Sequence, residues 1–228
     1  MHRRARHLNA RDVGATMVLD ARFISGSDGD AIGTWASRTS STYNMTQATA
    51  ANKPLLKLGS NGINGQATVL FDGTNDRMDG ANEDINTCSC FAVAYNNNSG
   101  TIRNIFGRSK TTDYTRNFVL TTNTTSNSLF VNRSDGSNFP IAQTTDFTTG
   151  SHIANGYYDG TNLGIRIDGK SYTTAAGVSS TGGTNWNVGY MNDGPTGAQY
   201  YWNNKISSVI LFKNSVASSS IAKRVEHS

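Results

Sequence analysis

The sequence predicts an all-β fold in which two antiparallel sheets pack face to face as a sandwich. Three observations carry this expectation. The 228 residues include 23 Gly but 3 Pro, only 16% are charged, and Thr, Ser and Asn fill much of the rest, as expected for many short strands joined by polar turns. The hydrophobic fraction of 36% comes in regular short runs, which argues against disorder. One run, Cys88 to Tyr95, is apolar on both faces, and a strand covered on both sides implies two packed layers.

The elements follow in order. Residues 1–14 form a basic N-terminal arm, and a single domain runs from 15 to 228. Thr16 to Ala21 is the first strand. The turn at Ser25 to Asp30 leads to a short strand around Ile32 and Trp35. Asn61-Gly62 and Asn64-Gly65 are turn signals, followed by a strand from Ala67 to Phe71 that ends at Asp72-Gly73. In the central strand, Cys88, Cys90, Ala92 and Ala94 share one face and Phe91, Val93 and Tyr95 the other. Asn104 to Arg108, Asn117 to Leu120 and Ser128 to Val131 continue the series. Leu163, Ile165 and Ile167 alternate with polar residues or glycine up to Asp168-Gly169, the strongest hairpin signal in the chain. Trp186 to Tyr190 reads as another strand. Gln199 to Phe212 reads as one long strand with Tyr200, Trp202, Ile206, Ile210 and Phe212 on one face. Ile221, Ala222 and Val225 have helical spacing, which predicts a short closing helix over 218–226.

Charge and cysteine content narrow the function classes. Of the net charge of +4, +3 belongs to Arg3, Arg4, Arg6 and Arg11 against Asp12. The domain is therefore nearly neutral and offers no basic surface for nucleic acid. No apolar stretch approaches the roughly 18 residues of a membrane span, and the basic start lacks the apolar region of a secretory signal. Cys88 and Cys90 lie two apart on a strand, about 6.7 Å between Cα atoms with parallel side chains. They read as buried thiols, with a Cys-x-Cys half-site for metal as the alternative.

Several segments together resemble laminin-G-like domains of the concanavalin A-like lectin/glucanase superfamily. They are Leu19-Asp20-Ala21 with Trp35, Asn64-Gly65 through Val69-Leu70-Phe71-Asp72-Gly73-Thr74-Asn75-Asp76, Cys90-Phe91-Ala92-Val93, Tyr158-Asp159-Gly160-Thr161 through Ile167-Asp168-Gly169, and Asn203-Asn204-Lys205-Ile206 through Val209-Ile210-Leu211-Phe212. The resemblance covers about residues 16–226 and implies a jelly-roll sandwich. It does not fix a function, because this fold hosts lectins, hydrolases, adhesion modules and virion proteins.

The candidate sites are few. Glycosidases of this fold use a Glu-x-Asp-x-Glu strand to pair carboxylates at about 5–5.5 Å, whereas this chain has only Glu83 and Glu226. His152 is the one histidine among the strands, and Thr149-Gly150-Ser151-His152 lacks a nucleophile elbow. No catalytic site and no cofactor are therefore expected, calcium excepted. Asp28 and Asp30, and Asp72 and Asp76, place hard oxygen ligands in loops, where the alternative is turn formation through their side chains. Trp186, Tyr190, Tyr201 and Trp202, with neighbouring Asn and Asp, could stack on and bond a sugar, where the alternative, from the face that Trp202 and Tyr200 share with Ile206, Ile210 and Phe212, is that most of these aromatics are core. The arm's Arg3, Arg4, Arg6 and Arg11 could touch nucleic acid or an acidic neighbouring subunit, where the alternative is a solvated terminus. Modules of the resembled type recur in bacteriophage capsid-surface and tail proteins. The leading expectation is thus a non-catalytic virion component, with capsid or tail proteins or its own copies as partners and no membrane partner. The alternative is a carbohydrate-binding module that recognises cell-surface glycan.

Overall fold

A computed structural model describes residues 14–97, 100–218 and 221–222. It is all-β, with two large antiparallel sheets. Sheet A holds β1 (Met17–Asp20), β4 (Leu55–Lys57), β5 (Thr68–Asp72), β7 (Cys88–Asn96), β12 (Gly150–Tyr158), β13 (Asn162–Ile167), β14 (Lys170–Ala176) and β18 (Asn203–Lys213). Its order is β14-β13-β12-β7-β18-β5-β4, with β1 also pairing β18. Sheet B holds β2 (Thr34–Trp35), β3 (Met45–Thr46), β6 (Met78–Asp79), β8 (Asn104–Ser109), β9 (Thr115–Thr122), β10 (Leu129–Asp135), β11 (Ile141–Thr144) and β15 (Asn187–Val188), ordered β11-β10-β9-β8-β15-β6-β3-β2. A two-stranded ribbon, β16 (Tyr190–Asp193) with β17 (Ala198–Tyr201), stands apart from both sheets. Among the described residues no helix is long and apolar enough to cross a membrane.

The core lies between the sheets, as the alternation along β7 requires. Cys88, Cys90, Ala92 and Ala94 point into it from sheet A, and Phe106, Phe118, Leu120 and Val131 meet them from sheet B. Small residues at the centre of one sheet leave room for rings from the other. Gly156 on β12 is a close approach of the two sheets, since a Cβ there would stand 2.4 Å from Val131 Cγ2 and 3.2 Å from Phe118 Cζ. Both cysteines are buried thiols without a disulfide. Burial pushes Cys88 up to about 12, which removes it as a nucleophile at neutral pH.

The Asp168-Gly169 hairpin forms as expected. Both residues have positive φ (50° and 81°), the signature of a two-residue turn matched to strand twist. Two expected strands are broken. Trp186 to Tyr190 is interrupted at Gly189 (φ 77°), where a Cβ would stand 2.3 Å from the Phe71 ring. There the chain leaves sheet B for the ribbon. The long terminal strand splits at Trp202, and its register shifts between Ile206 and Ser208. This bulge reverses the alternation. Ile206, Val209 and Leu211 face the core, while Ile210 and Phe212 lie on the outer side beside Phe91 and Ala217, so Ile206 does not share a face with Ile210 and Phe212. β12 was not expected as a strand, because Gly150, Asn155 and Gly156 blur its pattern. Of the closing helix expected over 218–226, the described part is Ile221–Ala222, with Ala222 N–H donating to Ser218 O at 2.8 Å.

Candidate functional site

Two of the four aromatics that could have bound sugar are core residues, the alternative the sequence also offered. Trp186 is fully buried and stacks on Tyr43, with ring centroids 5.4 Å apart. Its Nε1–H donates to Glu83 O at 2.7 Å. Trp202 is buried near Phe147. Neither can stack on a ligand, because both side chains are enclosed in the core. Tyr190 and Tyr201 pair across the ribbon with centroids 5.0 Å apart. Tyr190 is buried and Tyr201 half-buried, so they form no open platform either.

The four aspartates do not converge. Asp28 accepts from Leu58 N–H (2.7 Å) and Asn61 Nδ2 (2.9 Å), and Asp30 accepts from Ser27 N–H (2.7 Å). Asp72 Oδ1 accepts three backbone N–H bonds, from Thr74, Asn75 and Asp76. Asp76 Oδ2 accepts from Asp72 N–H at 3.0 Å. Thr68 pairs with Lys57 next to the Asp28 loop, and Asp72 lies four residues further along β5. The two pairs therefore sit at opposite ends of the β4–β5 pair; Asp30, Asp72 and Asp76 wind their own turns, while Asp28 ties its loop to Leu58 and Asn61. No group of three or more His, Cys, Asp or Glu side chains able to hold a metal ion occurs among the described residues. Burial, then the charge of Asp72, push the Asp76 carboxyl up to about 6 against the backbone bond it accepts. Burial also opposes the charge of Asp72, but its backbone N–H bonds hold it below its ordinary value.

His152 is bound on both sides. Nδ1 lies 2.8 Å from Asp168 Oδ2 and Nε2 lies 2.9 Å from Thr148 O, with the ring against Phe147. A backbone carbonyl thus occupies the nitrogen that a nucleophile would need, and the residue ties β12 to the β13–β14 turn. Arg3, Arg4, Arg6 and Arg11 lie outside the described residues.

A concavity of about 180 Å³ lies on the outer face of sheet A. Strand register builds its floor as two rows. Val18 pairs with Ile210 and Ile210 with Phe91, while Asp20 pairs with Ser208, Ser208 with Val93 and Val93 with Ile153. The rim comes from loops. Asp20 caps the turn Ala21–Phe23 by accepting Arg22 N–H, and the Arg22 guanidinium returns to the same carboxylate through Nε and Nη2 (2.9 and 2.7 Å). Arg38 donates its backbone N–H to Val18 O, and its guanidinium stacks 3.5 Å from the ring centre of the exposed Phe23. Gln66 and Ser207 complete the rim. The site therefore combines an apolar floor with two guanidiniums, one carboxylate and several neutral polar groups. Sequence reading had the floor's β7 residues, Phe91 and Val93, on one face. The Ser207 bulge, which brings Ser208 and Ile210 beside them, has no marker in the sequence.

No protein-family model matches the chain, and a comparison with curated proteins finds no match. Solved structures do match. The carbohydrate-binding module CBM40 of the Ruminococcus gnavus IT-sialidase, bound to α2,3-sialyllactose, aligns with a TM-score of 0.52 at 12% identity, covering 61% of this chain and 82% of that one. The binding domain of botulinum neurotoxin serotype D aligns with a TM-score of 0.62 at 10% identity, covering 95% and 52%. Trypanosoma rangeli sialidase aligns with a TM-score of 0.54 at 12% identity, covering 93% and 32%. The chain thus spans about half of that toxin domain and a third of that sialidase. At these identities the likeness establishes the fold, a jelly-roll β-sandwich.

Proposed function

We propose that this chain is a non-catalytic glycan-binding module that holds a saccharide in the concavity on the outer face of sheet A. The observation that carries the reading is the pairing of the Val18, Phe91, Val93, Ile153 and Ile210 floor with the Arg22, Arg38, Gln66 and Ser207 rim. A pyranose offers an apolar C–H face to such a floor and a hydroxyl edge to such a rim. The Arg22 and Arg38 guanidiniums at the rim favour an acidic sugar, since a guanidinium fork matches a carboxylate. The sialyllactose bound by one structural neighbour supports acidic lactose-type glycans as the first probes.

The experiment is a glycan array with the full chain, followed by calorimetry on the hits. Binding should favour acidic glycans, and Arg38→Ala should weaken it about tenfold, the loss expected for a hydrogen bond to a charged group. Uniform absence of binding across the array, from chain shown to be folded, would contradict the proposal. Chelating calcium is expected to leave binding unchanged, because Asp30, Asp72 and Asp76 already accept hydrogen bonds in their own loops and Asp28 accepts them from Leu58 and Asn61.

A virion role and a laminin-G-like identity are finer readings. They draw on the sequence resemblance and on an arm outside the described residues. The relatives reported above are a glycan-binding module, a toxin binding domain and a sialidase, and they support the glycan reading instead.

A further inference from the structure

The opposite face of the molecule carries a second cluster that no strand packing requires. Phe139 is 45% exposed, at the end of the turn between β10 and β11. It is nevertheless held firmly. Asp135 Oδ1 accepts the backbone N–H groups of Ser137 (2.9 Å) and Asn138 (2.7 Å), and Oδ2 accepts Asn138 Nδ2 (2.8 Å), which winds the turn. Asn132 Nδ2 donates to Pro140 O at 2.8 Å and fixes the residue that follows. Tyr114 meets the Phe139 ring edge-on, with centroids 6.1 Å apart, and the Arg116 guanidinium lies 6.0 Å from its centre.

Polar groups of the same neighbourhood are also preset. Arg116 Nη1 donates to Asn132 Oδ1 at 2.9 Å, and Nη2 pairs with Asp193 of the ribbon. Tyr200, across the ribbon from Met191, donates its hydroxyl to Asp193 Oδ2 at 3.4 Å. Lys110 and Asp113 pair nearby at 3.6 Å. The two cations are already neutralised, Arg116 by Asp193 and Lys110 by Asp113, and the remaining charge, Asp135, is engaged by the hydrogen bonds of its own turn, so nothing here favours an acidic ligand. It presents an open ring, a second ring at its edge, and fixed donors and acceptors beside them.

We infer that Tyr114, Phe139 and Tyr200, with the Arg116–Asp193 pair, form a second saccharide site, and that its ligand is a neutral pyranose. The apolar face of a pyranose would lie on Phe139, and its hydroxyls would reach Arg116, Asp193 and the Tyr200 hydroxyl. The prewound turn lowers the ordering cost of binding. Because β9 and β10 belong to sheet B, this site faces away from the sheet A concavity. A chain with both could bridge two glycans and gain avidity without new contacts. The inference stands on the sheet B cluster alone.

The test is an aromatic-resolved NMR titration of the full chain with methyl β-glucopyranoside and methyl β-galactopyranoside. Saturable shifts are expected at the Tyr114, Phe139 and Tyr200 rings. Phe139→Ala should weaken the response about tenfold, the scale of an aromatic contact, Phe139→Trp should restore it, and Arg38→Ala should leave it unchanged. Rings that do not respond to either glycoside would overturn the inference, as would a response that survives Phe139→Ala. Rings that shift with protein concentration alone would also overturn it, assigning the patch to a second copy of the chain. If glycan binding at sheet A fails while these rings still respond to sugar, only the proposed function falls.

Discussion

Asp76 carries the clearest pH signature among the described residues. Its folded-state carboxyl is pushed up to about 6 from an ordinary 3.8, so the folded chain holds a proton more tightly than the unfolded one. The stabilisation from that proton is complete below 3.8 and is lost as the pH rises through about 6. Two pH units correspond to at most about 3 kcal/mol. Asp72 is shifted the opposite way, so its contribution is present above its ordinary value and lost only at lower pH, outside this window. Asp76→Asn keeps an oxygen for the Asp72 N–H and removes the charge. It should raise the melting temperature near neutral pH and flatten its dependence between about pH 4 and 7. Thermal melts across that range check this, and a variant with the wild-type profile would refute the assignment. The same scale shows what side chains hide from sequence. Turn chemistry at Asp28 and Asp72 was legible because Asp-Gly pairs are local signals. The face that Trp202 shares with Ile206 already marked most of the aromatics as core, but the chain breaks at Gly189 and before β18 were not legible.

At the scale of elements, the sandwich depends on small residues where the sheets come closest. A methyl at Gly156 would meet Val131 and Phe118, both fully buried. Gly156→Ala should therefore destabilise by about 1–3 kcal/mol through overpacking, although an alanine there is compatible with strand backbone. Urea unfolding measures it, and an unchanged midpoint would mean that the sheets can part to admit the methyl. Strands with plain alternation, such as β13, and turns with positive-φ pairs, such as Asp168-Gly169, could be read directly. The β18 bulge could not. A single inserted residue reverses every later side chain while leaving the residue types unchanged. Because Ser208 and Ile210 follow it, the floor of the concavity was the part of the site least open to sequence reading.

At the scale of the molecule, one end of the sandwich is held by two buried arginines. Arg133 donates to the carbonyls of Ile85, Val178 and Ser180, and Arg108 bonds Asn82, Asp84 and Thr184. These bonds clasp two long-range loops. Composition and apolar periodicity reach this architecture, since they reflect burial averaged over many residues. The site is assembled from β1, β7, β12, β18 and three loops, and no local pattern encodes such an assembly. The most direct test is methyl-resolved NMR of the full chain titrated with α2,3-sialyllactose and with the best glycan from the array. The account predicts saturable shifts at the Val18, Val93, Ile153 and Ile210 methyls, with the core methyls of Ile105 and Ile206 unmoved. If those four stay silent while an array-positive glycan binds, the concavity on sheet A is not the site, and the central claim is wrong.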